Sequence, residues 1–147
     1  ELRGITPDLL VRDTEAQKTQ ALAWLDKQQA LAKNFVFTLG SRNATADGIT
    51  FTLNRQPFLH NSSSYLPAGE TLAKLGWELH YYGNSWYGFN GTRRLIIDIA
   101  ELQVLSGNTS SDILIRANTT YLPAAFLRNL GYTVSWNGEN QTVTIGR

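Results

Sequence analysis

The chain contains no cysteine, which excludes disulfides, thiolate nucleophiles and any metal site built on sulfur. Histidine is nearly as scarce. His60 and His80 are the only two, they fall in separate elements, and neither has a carboxylate at ligand spacing. They read as surface or hydrogen-bonded histidines, not as a metal pair. No apolar run approaches the roughly 18 residues that a membrane-spanning helix requires. The formal net charge is only +1 and no basic run supplies a local patch, so there is no nucleic-acid footprint. The sequence opens at Glu1 without a basic-then-apolar leader, so a signal peptide is expected to have been removed or never present. Lys and Glu are sparse while Asn, Ser, Thr and Gly abound, and together with the missing thiols this fits bacterial export.

Catalytic constellations are missing too. Glu70, Glu78, Asp98 and Glu101 are the carboxylates that could serve as an acid–base pair, but nothing in the spacing holds two of them together. The serines of "NSSSY" (61–65) have neither a nucleophile elbow nor a nearby histidine, and read as a polar loop. The glycines are scattered turn positions without a phosphate-binding pattern. No enzyme activity, metal or cofactor is expected.

What is present is a globular composition, 42% apolar and 17% charged over 147 residues. A domain near this size buries about 70% of its unfolded surface, so it can fold without a metal or a disulfide. Residues 1–12 read as a short arm. From Thr14 the pattern is helical, with Thr14 and Gln17 forming a capping box. Ala21, Trp24, Leu25, Leu31, Ala32 and Phe35 form one apolar stripe, and Asn34 can close the helix. That stripe is expected to dock on the rest of the chain in cis or to form an interface.

Beyond it the texture turns to short strands. "FVFTLGS" (35–41) and "GITFTLN" (48–54) flank Asn43 to Asp47, which reads as the turn of a hairpin. Then one phrase occurs twice. "NSSSYLPAGETLAKLGWELHY" (61–81) and "NTTYLPAAFLRNLGYTVSW" (118–136) each give a turn, a Pro-led helix and a strand. Pro67 and Pro123 suit a first helical turn. Gly76 and Gly131 suit the left-handed residue that ends a helix. Strands "RLIIDIAELQVL" and "DILIRAN" precede the second helix, and Asn137-Gly138 is a strong hairpin turn. The repeat is therefore about 55 residues of strand, strand, helix, strand, strand. Two such units make an α+β domain of pseudo-symmetric half-repeats. Residues 1–34 form an arm and amphipathic helix; residues 35–147 form the domain, with halves at about 35–94 and 95–147.

These residues carry a resemblance. "TLGS" (38–41), "DGITFTLNRQP" (47–57), "YLPAGETLAKLGWELHY" (65–81) and "TTYLPAAFLRNLGYTVSWNGENQTVTI" (119–145) resemble the copper amine oxidase N-terminal-domain-like modules, or stalk domains, of exported bacterial proteins. The resemblance covers about residues 35–147, both halves in order. It implies a non-catalytic structural or interaction module, because copper and the quinone cofactor of the oxidases belong to another domain. Copper there needs three histidines, and the Asn-Tyr-Asp/Glu motif that generates the quinone is absent here. The family's Arg after Val-Pro-Leu is Gly69 in the first half and missing from the second, so no ligand role tied to that Arg carries over.

The aromatic run "GWELHYYGNSWYGF" (76–89) is the best candidate site. Alternation assigns Trp77, Leu79 and Tyr81, with Tyr132, Val134 and Trp136 of the second copy, to the core. Tyr87 and Phe89, matched to Val143 and Ile145, are also expected inside. His80, Tyr82 and Trp86 remain for the outer face, where aromatic rings can stack on a sugar or anchor a protein. Asn-x-Ser/Thr triplets at Asn43, Asn61, Asn90, Asn108, Asn118 and Asn140 read as turn residues, not as native glycosylation sites. Three functions follow in order: a non-catalytic exported or cell-surface stalk module that spaces, tethers or joins protein partners; a cell-wall or polysaccharide-binding module using the outward aromatics Tyr82 and Trp86; an inhibitor or regulator of a secreted hydrolase presenting a loop such as 57–65 or 106–112. A monomer, or part of a larger exported protein, is expected.

Overall fold

Short runs of alternating residues, punctuated by positions that tolerate a positive φ, commit this chain to strands and tight turns. The computed structural model describes residues 31–147, with Thr19 alone before them. The capping box and the stripe residues Ala21, Trp24 and Leu25 lie outside the described residues. Ala32–Arg147 form one compact unit. In order its elements are β1 (Asn34–Thr38), β2 (Asn43–Ala46), β3 (Ile49–Thr52), β4 (Phe58–His60), β5 (Ser63–Pro67), helix α1 (Ala68–Lys74), β6 (Glu78–Tyr82) and β7 (Ser85–Phe89). Then come β8 (Arg94–Asp98), β9 (Gln103–Ser106), β10 (Thr109–Asp112), β11 (Leu114–Arg116), β12 (Thr119–Pro123), a 3₁₀ helix (Ala124–Leu130), β13 (Thr133–Asn137) and β14 (Thr142–Gly146).

The strands make three antiparallel sheets. Sheet I has the order β13-β14-β1-β2-β3, sheet II β10-β9-β8-β7-β6, and sheet III β11-β12-β5-β4. The two short helices follow β5 and β12, and their apolar faces (Ala68 and Leu72; Ala124, Phe126, Leu127 and Leu130) join one core with Phe35, Phe37, Leu66, Ile97, Leu122 and Ile145. This is an α+β domain dominated by sheet. The helix ends follow the local chemistry. Gly131 sits at φ 94° as the C-cap of the 3₁₀ helix, and Gly76 has φ 90° just past α1. Only glycine takes that conformation without strain.

Several expectations change. Asn43–Ala46 is strand β2, not a turn, and the reversal between β2 and β3 is only Asp47-Gly48, at φ 49° and 82°. Two successive positive-φ residues give the turn whose twist matches a hairpin, with Asp-Gly its favoured sequence. Asn34 opens β1 instead of closing a helix, and Phe35 is buried by pairing against Ile145 and Ala46. "RLIIDIAELQVL" is two strands, β8 and β9, folded back at positive-φ Leu102. Pro67 and Pro123 are N-cap residues ending β5 and β12, just ahead of the helices, and the second helix is 3₁₀. The segments read as loops 57–65 and 106–112 are mostly the hairpins β4–β5 and β9–β10.

The core assignment is corrected as well. Trp77 is buried, with Val143 and Ile145, and Leu79, Tyr132 and Val134 pack partly buried against the core. Trp136 is 46% exposed and Tyr81 60%. Both lie on core-facing sides of their strands but beyond the reach of the core. Tyr87 and Phe89 point outward, and Gly88 takes the inward position, where a Cβ would lie 3.0 Å from Leu95 Cγ and 3.2 Å from Leu79 Cδ2. The cause is turn length. Gly83-Asn84 joins β6 to β7, whereas residues 138–141 join β13 to β14. Cross-strand register therefore matches Trp86 with Val143 and Gly88 with Ile145, and a one-residue offset puts every side chain on the wrong face.

Candidate interaction surfaces

The aromatic run forms strands β6 and β7 of sheet II, and register decides which of its rings share a face. His80 pairs with Tyr87, Tyr87 with Ile96, and Ile96 with Leu105. These four side chains form one row across four strands, because residues directly opposite in antiparallel strands lie on the same side. Tyr82 and Phe89 flank that row on the same face. The Tyr82 and Tyr87 rings meet edge to face at 5.6 Å, and the Arg94 guanidinium carbon lies 5.8 Å from the Phe89 ring centre. His80 Nε2 stands 3.9 Å from Glu78 Oε2. Tyr82 is 66% exposed, and Tyr87, Phe89 and Ile96 are each about two-fifths exposed. Apolar groups of this size side by side on an exposed sheet face make it a candidate contact surface.

Trp86 does not belong to this face. It pairs with Tyr81 and with buried Ile97, so it projects to the core side, where it is half-buried. Its indole forms one wall of a separate cleft of about 240 Å³, shared with Asn54, Arg55, Glu70, Asn118 and Thr119. The Glu70 carboxylate accepts the Asn54 backbone N–H at 2.7 Å and the Arg55 N–H at 3.4 Å, which ties the segment after β3 to helix α1. Gly69 lies against the indole, and a Cβ there would stand 3.9 Å from it. Glycine at this position leaves the Trp86 ring accessible. The three residues singled out by sequence thus divide between two surfaces. His80 and Tyr82 gain Tyr87, Phe89 and Ile96 as neighbours, and Trp86 faces a cleft rimmed by Asn54, Arg55, Glu70 and Asn118.

The chain matches the family described as Copper amine oxidase N-terminal domain over residues 45–145. It belongs to that family. No curated protein and no solved structure matches it. The match runs from β2 into β14 and so takes in both copies of the repeated phrase. The copper amine oxidase N-terminal domain is a non-catalytic domain.

Copper itself does not fit the residues present. His60 lies on β4 of sheet III, with Arg116 Nη2 3.4 Å from its Nδ1, and His80 lies on sheet II. A guanidinium against the ring opposes a cation there. Among the described residues no group of three His, Cys, Asp or Glu side chains could hold a metal ion.

Proposed function

We propose that this chain is a non-enzymatic module of an exported bacterial protein, which spaces its parent from the cell surface and holds a protein partner on the outer face of sheet II. The observation that carries this reading is the row His80–Tyr87–Ile96–Leu105 with Tyr82 and Phe89 beside it. Aliphatic Ile96 and Leu105, which continue the row beside the aromatic rings, suit a protein surface better than a sugar, because aromatic and aliphatic anchors together make the centre of protein interfaces. The rigid sheet beneath them suits a spacer. Element order supports two like halves: β1–β5, helix, β6–β7 is followed by β8–β12, helix, β13–β14, and each half lends strands to all three sheets.

A second reading is favoured by the Trp86 cleft. An indole wall beside Glu70, Arg55 and Asn118 offers a stacking surface with hydrogen-bonding groups at its rim, the combination that a polysaccharide requires.

Retention of the protein on cell envelopes from the source organism tests both. Protease-sensitive retention that is lost in a Tyr82→Ser/Tyr87→Ser/Phe89→Ser variant supports a protein partner. Retention on protein-stripped polysaccharide that is lost in Trp86→Ala supports the second reading. Undiminished retention in both variants overturns both.

A further inference from the structure

A third surface lies away from both of these. A cleft of about 400 Å³ opens between β13 and the β4–β5 hairpin, lined by Trp136, Arg128, Leu59, Val134 and the serines 62–64. Among the described residues, strand β13 is the edge of sheet I and β4 the edge of sheet III. Trp136 and Leu59, on the two sides, are 46% and 52% exposed.

The backbone groups at this cleft are fixed by the ladders behind them. Leu39 N–H donates to the Gln141 carbonyl and Arg147 N–H to the Lys33 carbonyl, at 2.8 Å each, bracketing the β1–β14 ladder. Hydrogen-bonded pairs alternate along an antiparallel ladder, so odd-numbered residues of β14 bond to β1. Thr142, Thr144 and Gly146 then bond to their β13 partners Asn137, Ser135 and Thr133. Val134 and Trp136 are left with N–H and C=O turned outward. The Val134 carbonyl accepts Arg128 Nη2 at 2.7 Å, which agrees with that direction. On β4 the same reasoning holds. Pro67 and Pro123 have no N–H, so β5 and β12 bond through Leu66 and Leu122. Tyr65 and Ser63 then bond to Phe58 and His60, and Leu59 turns its backbone outward.

Proteins normally blunt an open edge with lysine, proline or an inward charge. Strand β13 reads Thr-Val-Ser-Trp-Asn and has none of these. We propose that this cleft binds an extended peptide segment of a protein partner, added as a strand to the open edge of β13. Its alternate side chains pack on the Trp136 indole and against Leu59. Backbone donors and acceptors at strand spacing select a polypeptide over a glycan, since only a polypeptide presents the complementary repeat. Arg128 already occupies the Val134 carbonyl, so the groups open to the added strand are the Val134 N–H and the Trp136 N–H and C=O.

A phage-displayed library of random 12-residue peptides, panned on the full chain, tests this. Trp136→Ala removes the platform and leaves the edge intact. Val134→Pro removes an outward N–H at a position where an edge strand tolerates proline. The selected peptides should lose at least about tenfold in affinity for each variant. Methylating their alternate backbone nitrogens should abolish binding in one phase and spare it in the other. Peptides that bind all three proteins equally, peptides that tolerate methylation in both phases, or a library that yields no binder would each overturn the proposal. If Val134→Pro fails to fold by circular dichroism, Trp136→Ala and the methylation phases still decide.

Discussion

Trp77 and Tyr132, 55 residues apart, meet through a 2.8 Å hydrogen bond from the indole Nε1 to the phenol oxygen. Each follows a glycine that stops a helix, so the two copies of the repeated phrase touch through their equivalent aromatic residues. Trp77 is 4% exposed, and its N–H has no water to turn to if the phenol is removed. Tyr132→Phe should therefore cost about 1–3 kcal/mol, the penalty for a buried donor left unpaired. A denaturant midpoint unchanged in Tyr132→Phe would contradict this.

The same phenol predicts an alkaline effect. Burial, the largest cause, raises the Tyr132 hydroxyl above its ordinary 10.0, outweighing the hydrogen bonds that lower it. A raised folded value means the group's contribution is complete below the unfolded pKa and is lost as pH rises through the folded one. Stability should fall more steeply above pH 10 in the wild type than in Tyr132→Phe, as read from urea midpoints.

Asp47 sets the acid limb. Its carboxylate accepts Asn34 N–H at 2.9 Å and Lys33 N–H at 3.1 Å, and these backbone bonds lower its pKa below the ordinary 3.8. A depressed value means stability present above the unfolded pKa and lost as pH falls through the folded one. Asp47→Asn should be less stable than wild type near neutrality, and the gap should close below about pH 4. A gap independent of pH would show that the carboxylate charge plays no part.

The two outlying tryptophans should separate. Trp86 packs against the core and Trp136 stands at an open edge. Trp86→Ala should cost about 2 kcal/mol, part of the full burial value, while Trp136→Ala should cost under about 1 kcal/mol. Equal melting-temperature shifts would contradict the placement.

Thr71 is fully buried on α1, and its hydroxyl has no hydrogen-bond partner among the described residues. Thr71→Val keeps the shape and removes the desolvated oxygen, and should stabilise the fold by about 1 kcal/mol. A fall in melting temperature would mean that the hydroxyl is satisfied in solution.

The sequence by itself determined the twice-written phrase, the glycine stops, the Gly83-Asn84 turn and the family, because each is local chemistry. A left-handed residue or a two-residue reversal needs no distant partner to be read. Tertiary structure decided the rest. Whether Tyr87 or Gly88 faces the core depends on a turn two residues shorter than its counterpart, and alternation read without that register inverts a whole strand. Trp136 carries the sequence signature of a core residue, yet it lies where sheet I ends and the core no longer reaches. His80, Tyr82 and Trp86 are neighbours in the sequence, but the two-residue Gly83-Asn84 turn pairs Trp86 with Tyr81 and so sends it to the other face. The edge that β13 forms among the described residues is legible only once three sheets have been assembled, since an edge is defined by the strand that is not beside it.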